Sequence, residues 1–338
     1  MRCIAIEEAF VTQAVYDAWF EILNGPDAEP GFRLMGGSII AKNPATEKVH
    51  ARLLDVGHGR IAQMDADGVD LAILSLTAPG VNVVRDPVKA HELAVDANEQ
   101  LASAVRAHPA RLAGLATVAS HHPEAAAREI ERIRRIGLAG LLINSHTFGH
   151  YLDEPQFEPI LAAAQAQDIP LYLHPREPGP AMIEAYRPHG LYFAHWGFAM
   201  EAGLHAMRLI VSGTFDRFPK LRIILGHLGE GLPFWLERID NRHALQVRIG
   251  AAKKLERKPS EYFLDNFVIT TAGFTSTPSL KLCIDVLGAD RILFAADYPY
   301  EDAREATDFM RNTPIDESAR GAIAHRNAER LFGLPPQD

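Results

Sequence analysis

Four apolar runs of the chain carry, at or near their ends, residues that could bind a metal ion or transfer a proton. LYLHPR carries His174, RIILGH ends at His227, ILFAAD ends at Asp297, and CIAIEE ends in two carboxylates, of which Glu7 is the first. Apolar runs of this length are typical of buried strands. Parallel α/β folds place their chemistry at the carboxyl ends of such strands. We therefore expect these side chains to meet at one rim of the fold.

Imidazole and carboxylate groups together form a ligand set that suits zinc or, with more oxygen, manganese. One such histidine alone would more often be a hydrogen-bonded structural residue. Glu7, His174 and Asp297 lie on three separate strands, however, and buried polar groups left unpaired cost roughly 1–3 kcal/mol each. The sequence therefore predicts one divalent ion, Zn²⁺ or Mn²⁺ in preference to Mg²⁺, with His227 either as a further ligand or as a proton donor.

The elements that must position these residues alternate regularly. Strands are predicted at 3–8, 71–77, 112–119, 140–145, 170–174, 222–227, 267–272 and 292–297, each followed by at least one amphipathic helix. Eight such units favour a closed (β/α)8 TIM barrel. An open, doubly wound sheet is the alternative, but it would normally carry a glycine-rich loop after its first strand, where this chain has Glu7-Glu8-Ala9.

One segment departs from the alternation. Residues 11–48 contain the turn signals Asn24-Gly25-Pro26 and Gly36-Gly37, and two further prolines. We predict that this segment is irregular and covers the site, within a single domain that spans residues 1–338. Long segments of this kind are more often functional covers than passive connections.

Composition limits the partners. The 338 residues carry a net charge of −9 without a basic block, so neither nucleic acid nor an anionic membrane is an expected partner. No apolar run approaches the roughly 20 residues that cross a bilayer. No signal peptide is evident, and Cys3 and Cys283 lack metal-type or redox-type neighbours. A cytoplasmic protein without a disulfide is expected.

Five motifs together resemble the amidohydrolase superfamily: IEEAF, LYLHPR, GTFDRFP, GHLGEGLPFWLERID and FAADYPYED. Within it, they are similar to the metal-dependent non-oxidative decarboxylases related to aminocarboxymuconate semialdehyde decarboxylase. The nearest resemblance is to the o-hydroxybenzoate decarboxylases, which act on gamma-resorcylate, 2,3-dihydroxybenzoate or 5-carboxyvanillate. It extends from Cys3 to about Phe332. Ala9 departs from the gamma-resorcylate type, which typically carries histidine there.

The resemblance implies roles for individual residues. Glu7, His174 and Asp297 would bind the metal, and Asp297 with His227 would form the catalytic pair. Arg238 would bind the carboxylate of a small aromatic acid, although a solvated helix charge is the ordinary interpretation of that residue.

Further substrate contacts are predicted around the ring of the acid. They are Thr77, Tyr300, Trp196 and Phe198, with core packing as the alternative for Trp196 and Phe198. The resemblance also implies a homodimer or a homotetramer.

The predicted reaction is decarboxylation of an ortho-hydroxybenzoate to a phenol and CO₂. Expelling CO₂ directly would leave a costly aryl carbanion, so the ring carbon is expected to take a proton first, delivered by Asp297. A metal-dependent hydrolase of a lactone or amide is the first alternative, with Asp297 as base. A non-catalytic ligand-binding barrel is the second.

Overall fold

The computed structural model describes residues 1–40 and 43–336. Its eight parallel strands pair in chain order, and a parallel bridge between Ile6 and Ala295 joins the last strand to the first. The strands are β1 (Ile4–Phe10), β2 (Leu71–Leu76), β3 (Leu112–Thr117), β4 (Gly140–Asn144), β5 (Leu171–His174), β6 (Ile223–Leu225), β7 (Phe267–Thr270) and β8 (Ile292–Leu293). The prediction of a (β/α)8 barrel is confirmed.

Both faces of the strands are buried, which explains why they appear in the sequence as continuous apolar runs. Alternate residues such as Ile6, Ile73 and Ile224 fill the barrel interior. Their neighbours, such as Ala5 and Leu74, pack outward against the helices in a second and larger core. Burial on both faces fixes the strand register, because a shift by one residue would exchange the two cores.

Helices surround the barrel. They are α1 (Gln13–Asn24), α2 (Pro30–Ile39), α3 (Pro44–Leu54), α4 (His58–Asp67), α5 (Pro87–Ala107), α6 (Pro123–Ile133), α7 (Glu158–Ala166), α8 (Ile183–Tyr186), α9 (Gly197–Val211), α10 (Thr214–Arg217), α11 (Gly226–Glu230), α12 (Leu232–Arg248), α13 (Pro259–Asn266), α14 (Thr277–Leu287), α15 (Ala303–Asn312), α16 (Glu317–Gly321) and α17 (Asn327–Phe332). Several begin with proline, whose fixed φ suits a first helical position.

Every strand except the first is shorter than predicted, and two of these differences fall beside candidate site residues. The predicted strand 222–227 ends at Leu225, and the predicted strand 292–297 ends at Leu293. His227 and Asp297 themselves have φ values of 48° and 61°, outside the extended region, so neither residue continues a strand. The functional residues thus lie in turns just beyond the strands.

The prediction that residues 11–48 are irregular is wrong. The described part of this segment forms α1, α2 and the start of α3; residues 41 and 42 lie outside the described residues. The glycine and proline signals mark helix boundaries: Gly25 follows α1, while Pro30 and Pro44 begin α2 and α3. The extent of the domain remains a prediction.

None of the helices in the two described ranges is both long and apolar enough to cross a bilayer. Cys3 and Cys283 are buried free thiols, as expected for a chain without a disulfide. Burial raises the pKa of each thiol to about 11. Both side chains therefore behave as small apolar core residues.

A glycine on β3 offers a test of the packing between strand and helices. A β-carbon at Gly114 would lie 2.7 Å from Leu101 Cδ2 and 2.8 Å from Leu138 Cδ2. We expect Gly114→Ala to lower the free energy of unfolding by about 1–3 kcal/mol, measured by denaturant titration. Gly37→Ala is the control, because nothing lies within 4 Å of its β-carbon. Equal stability of the two variants would contradict this account.

Candidate active site

A cavity of about 220 Å³ opens at the carboxyl ends of the strands. The structure brings seven of the predicted site residues to its wall: Glu7, Thr77, His174, Phe198, His227, Asp297 and Tyr300. The remaining lining residues are Ala9, Met35, Ile39, Ser75, Ala78, Pro175, Phe193, Ala194 and Glu301. Acidic and imidazole groups thus face apolar and aromatic walls across one small space.

Glu7 reaches the cavity through an irregularity in β1. The pairing of β1 with β2 shifts between Ile6 and Glu8, and Glu7 adopts a φ of 71°. Its carboxylate is buried, and its Oε2 atom accepts hydrogen bonds from the Tyr172 hydroxyl and, at 3.1 Å, from the Thr270 hydroxyl. Burial raises the pKa of Glu7, while His227 and Tyr172 act against that rise.

The other oxygen of Glu7 has no hydrogen-bond partner, although it is buried. It lies 3.4 Å from His174 Nε2 and 3.6 Å from His227 Nε2. Two ligand atoms, each about 2.1 Å from a tetrahedral ion, lie about 3.4 Å apart. Each of the two imidazole nitrogens therefore lies as far from Glu7 Oε1 as a neighbouring ligand of one cation would.

His174 presents a free lone pair to this point. Its Nδ1 lies 2.7 Å from the Pro175 carbonyl oxygen, which can only accept, so Nδ1 carries the proton. Burial, followed by the charge of His227, lowers the pKa of His174 to about 3. The neutral Nε2 atom facing Glu7 Oε1 thus places two acceptors opposite each other, an arrangement that a cation satisfies.

His227 is held by a left-handed turn. His227, Leu228 and Glu230 have φ values of 48°, 54° and 52°, and Gly229 has 76°. This turn carries Glu230 back to His227, where Glu230 Oε1 lies 2.8 Å from Nδ1. Burial lowers the pKa of His227, but Glu230, Glu7 and Asp297 outweigh that effect and raise it to about 10.

Asp297 begins a turn that ends with Tyr300 and Glu301, whose amides donate to the Asp297 carbonyl at 2.9 and 3.1 Å. The turn directs its carboxyl group into the cavity. Burial, and then the charge of Glu7, raise the pKa of Asp297 well above its usual range. Three acids, Glu7, Glu230 and Asp297, therefore surround one imidazole that can be protonated, and a bound cation would relieve their repulsion.

The donor set fits a divalent metal ion. Within the described ranges, no three histidine, cysteine, aspartate or glutamate side chains are already grouped as a preformed metal cluster. The fit depends instead on the unpartnered Glu7 oxygen, the neutral Nε2 of His174 and the additional carboxylate of Asp297 in the same cavity.

The opposite wall suits an aromatic ring. Met35 and Ile39, one turn apart on α2, line it together with Phe193 and Phe198. At the polar end of the cavity, the hydroxyls of Thr77 and Tyr300 lie 2.8 Å apart. Sequence reasoning missed Met35 and Ile39 because it treated their segment as irregular; their spacing of four residues was the available signal.

Two predicted residues lie elsewhere. Arg238 is exposed on α12 and does not line the cavity, while Trp196 is 49% exposed just before α9. Tyr172 and Thr270, which hold Glu7, were not predicted. Tyr172 precedes His174 by two residues and thus shares its face of the strand, which was the available signal.

Carboxylates and imidazoles at the carboxyl ends of the strands define the class of metal-dependent barrel enzymes. Residues 43–334 match the Amidohydrolase family Amidohydro_2, and the chain belongs to it.

Curated and solved relatives extend this result. A gamma-resorcylate decarboxylase from Polaromonas sp. is 41% identical over 295 residues, which cover 85% of this chain and 90% of that protein. A crystal structure of 5-carboxyvanillate decarboxylase from Sphingomonas paucimobilis is 44% identical, covers 99% of both chains and has a TM-score of 0.95. The enzyme of that name from Novosphingobium aromaticivorans, complexed with manganese and 4-hydroxy-3-methoxy-5-nitrobenzoic acid, is 39% identical, covers 98% of this chain and 96% of its own, and has a TM-score of 0.96.

The support of Glu7 by Tyr172 gives a prediction for metal binding. We expect Tyr172→Phe to weaken metal affinity by about 10–100-fold, because groups that orient a ligand typically contribute that much. Competition with a fluorescent chelator measures it. Tyr262→Phe is the control, since Tyr262 donates to Asp216 instead of to a cavity residue. Unchanged affinity in Tyr172→Phe would show that Glu7 needs no such support.

Proposed function

We propose that this protein is a metal-dependent carboxy-lyase that converts an ortho-hydroxybenzoate to the corresponding phenol and CO₂. The observation that carries the proposal is the meeting of Glu7 Oε1 with two imidazole nitrogens in a cavity with a wall suited to an aromatic ring. The relatives support it, since the named ones decarboxylate gamma-resorcylate and 5-carboxyvanillate.

Glu7, His174 and Asp297 would hold the metal ion. When bound, the ion supplies Lewis-acid stabilisation of the phenolate and carboxylate oxygens of the substrate. Phe198 packs against the ring, and the hydroxyls of Thr77 and Tyr300 hydrogen-bond a polar ring substituent. Fixing the ring in this way orients the carbon that bears the carboxylate toward the acid, which is where positioning contributes most to the rate.

The chemical step requires a proton at that carbon. The phenolate raises the electron density there, and Asp297 donates its proton to form the new C–H bond. The bond to the carboxylate then breaks, CO₂ leaves, and the electron pair restores the aromatic ring. His227, oriented by Glu230, returns a proton to Asp297. Arg238 has no role within one chain, because it does not line the cavity.

Two substrate types are favoured. The manganese complex among the solved relatives holds a ring with hydroxyl and methoxy groups, which favours a 5-carboxyvanillate-like acid. Ala9, which lines the cavity where the gamma-resorcylate type typically has histidine, favours the same substrate. A dihydroxybenzoate is the second candidate, supported by the 41% identity to a gamma-resorcylate decarboxylase. The choice between Mn²⁺ and Zn²⁺ and the cytoplasmic location remain predictions.

Substitution of the proposed acid tests the mechanism. Asp297→Asn should lower kcat for CO₂ release from 5-carboxyvanillate or 2,6-dihydroxybenzoate by about 10²-fold or more, because general acid catalysis contributes that much. Glu301→Gln is the control, since Glu301 lines the same cavity but takes no part in the proposed mechanism.

Metal content measured on the same samples separates loss of the acid from loss of the ion. Full turnover by metal-loaded Asp297→Asn would refute the assignment. Hydrolysis of a lactone panel without CO₂ release would favour a hydrolase. Absence of both metal and turnover in the wild type would favour a binding protein.

A homodimer or larger homo-oligomer is also proposed. Phe234 is 68% exposed and Trp235 is 49% exposed near the start of α12, and their ring centroids lie 5.1 Å apart. Large exposed apolar patches typically mark interaction sites.

We expect Phe234→Asp to shift the mass in light scattering toward that of the monomer, because a charge at the centre of an apolar interface is poorly solvated. Val88→Asp, at a residue of α5 that is 54% exposed, should leave the mass unchanged. A wild-type protein that is already monomeric would contradict the proposal.

A further inference from the structure

The helix that forms the apolar wall of the cavity, α2, is joined to the metal-ligand strand by a buried ion pair. Arg176 is fully buried two residues after His174. Its Nη2 atom donates to Glu29 Oε2 at 3.1 Å, and Glu29 directly precedes α2. Its Nη1 atom donates to the His146 carbonyl at 3.2 Å. Arg176 therefore joins β5, the loop after β4 and the start of α2.

Steric fit reinforces this connection. A β-carbon at Gly31, in the first turn of α2, would lie 2.6 Å from Glu177 Cγ and 3.3 Å from the Pro178 carbonyl oxygen. Only glycine permits the helix to approach the segment after β5 so closely. The ion pair and the close contact at Gly31 thus both fix the N-terminal end of α2. Met35 and Ile39, farther along the same helix, line the cavity.

The ion pairs of Arg176 carry a desolvation cost, because all the charged groups involved are buried. Glu29 and Glu177 both pair with Arg176, and all three side chains are buried. One oxygen of each carboxylate and the Arg176 Nε atom lack hydrogen-bond partners. Burial raises the pKa of Glu29 although Arg176 opposes the rise. Such pairs are weak contributors to stability, and their best-attested use is to specify geometry.

We propose that Glu29 is a positioning residue for substrate binding: through Arg176 it holds α2 so that Met35 and Ile39 contact the apolar edge of the bound ring. This inference rests on the proposed function, since it deepens the assignment of the same cavity. The wall contacts the substrate equally before and during the reaction. Its displacement should therefore raise KM and leave kcat nearly unchanged.

The chain supplies a matched pair of variants. Glu29→Gln removes the charge from the connection to α2, so that only a neutral amide oxygen faces Arg176, and it leaves Arg176 paired with Glu177. One positive and one negative charge remain. Glu177→Gln removes the other carboxylate on the same guanidinium but leaves the connection between Arg176 and Glu29 intact. Gly31→Ala displaces α2 by a steric route instead of an electrostatic one.

Steady-state kinetics with 5-carboxyvanillate or 2,6-dihydroxybenzoate provide the first measurement. We expect Glu29→Gln and Gly31→Ala to raise KM by about tenfold, the equivalent of one strong contact, with kcat within twofold and unchanged metal content. Glu177→Gln should change KM by less than twofold. Equal effects of Glu29→Gln and Glu177→Gln, or a fall in kcat without a rise in KM, would overturn the proposal.

Hydrogen exchange provides a measurement that does not depend on activity. Amides of residues 31–39 should exchange faster in Glu29→Gln than in the wild type or in Glu177→Gln, while those of β5 are unchanged. If the wild type fails to release CO₂ but this difference appears, the proposed reaction is wrong and the positioning of α2 stands. If folded Glu29→Gln exchanges like the wild type, the positioning role is wrong.

Discussion

The site depends on a buried carboxylate that is only half satisfied. Glu7 receives two hydroxyl donors on one oxygen and none on the other, which faces the imidazoles of His174 and His227. An ionised acid in such a place is costly unless a positive charge meets it. A cation is therefore favoured at one point of the fold, next to the unpaired oxygen of Glu7 and the lone pair of His174 Nε2.

The residues around this point have an unusual backbone conformation. Glu7, His227 and Asp297 all have positive φ, a conformation that costs non-glycine residues roughly 1–3 kcal/mol each. Glu7 lies at the irregularity within β1, and His227 and Asp297 lie just beyond β6 and β8. The ladder hydrogen bonds of neighbouring strands hold the chain in place around these positions. A regular strand would direct alternate side chains into the barrel or toward the helices. The positive φ values direct these three side chains to the rim instead. The three residues with strained backbone are also those to which the proposed metal binding and proton transfer are assigned.

The sequence predicted the barrel and the group of Glu7, His174, His227 and Asp297 in the cavity because both leave periodic signals. Eight apolar runs ending in polar residues are visible in the chain, and His174 and Asp297 occupy such ends. The helices between residues 13 and 54 were missed since glycine and proline, which mark their ends, resemble loop signals. Arg238 and Trp196 do not line the cavity, because a motif gives the identity of a side chain but not the direction in which it points. The spacing of Tyr172 from His174 indicates that both share one face of β5, but the hydrogen bond to Glu7 is a contact across strands that no local pattern encodes.

The bridge between Ile6 and Ala295 has a consequence for how the protein matures. The bridge closes the barrel between its first and last strands, and Glu7 and Asp297 each lie within two residues of it. With Glu7 and Asp297 as the proposed ligands, a ribosome-bound intermediate that lacks the last strand would have an incomplete ion site. Loading would then follow synthesis at least as far as Asp297. An ion bound by residues on both strands would stabilise the closed barrel relative to a barrel opened between β1 and β8, by mass action.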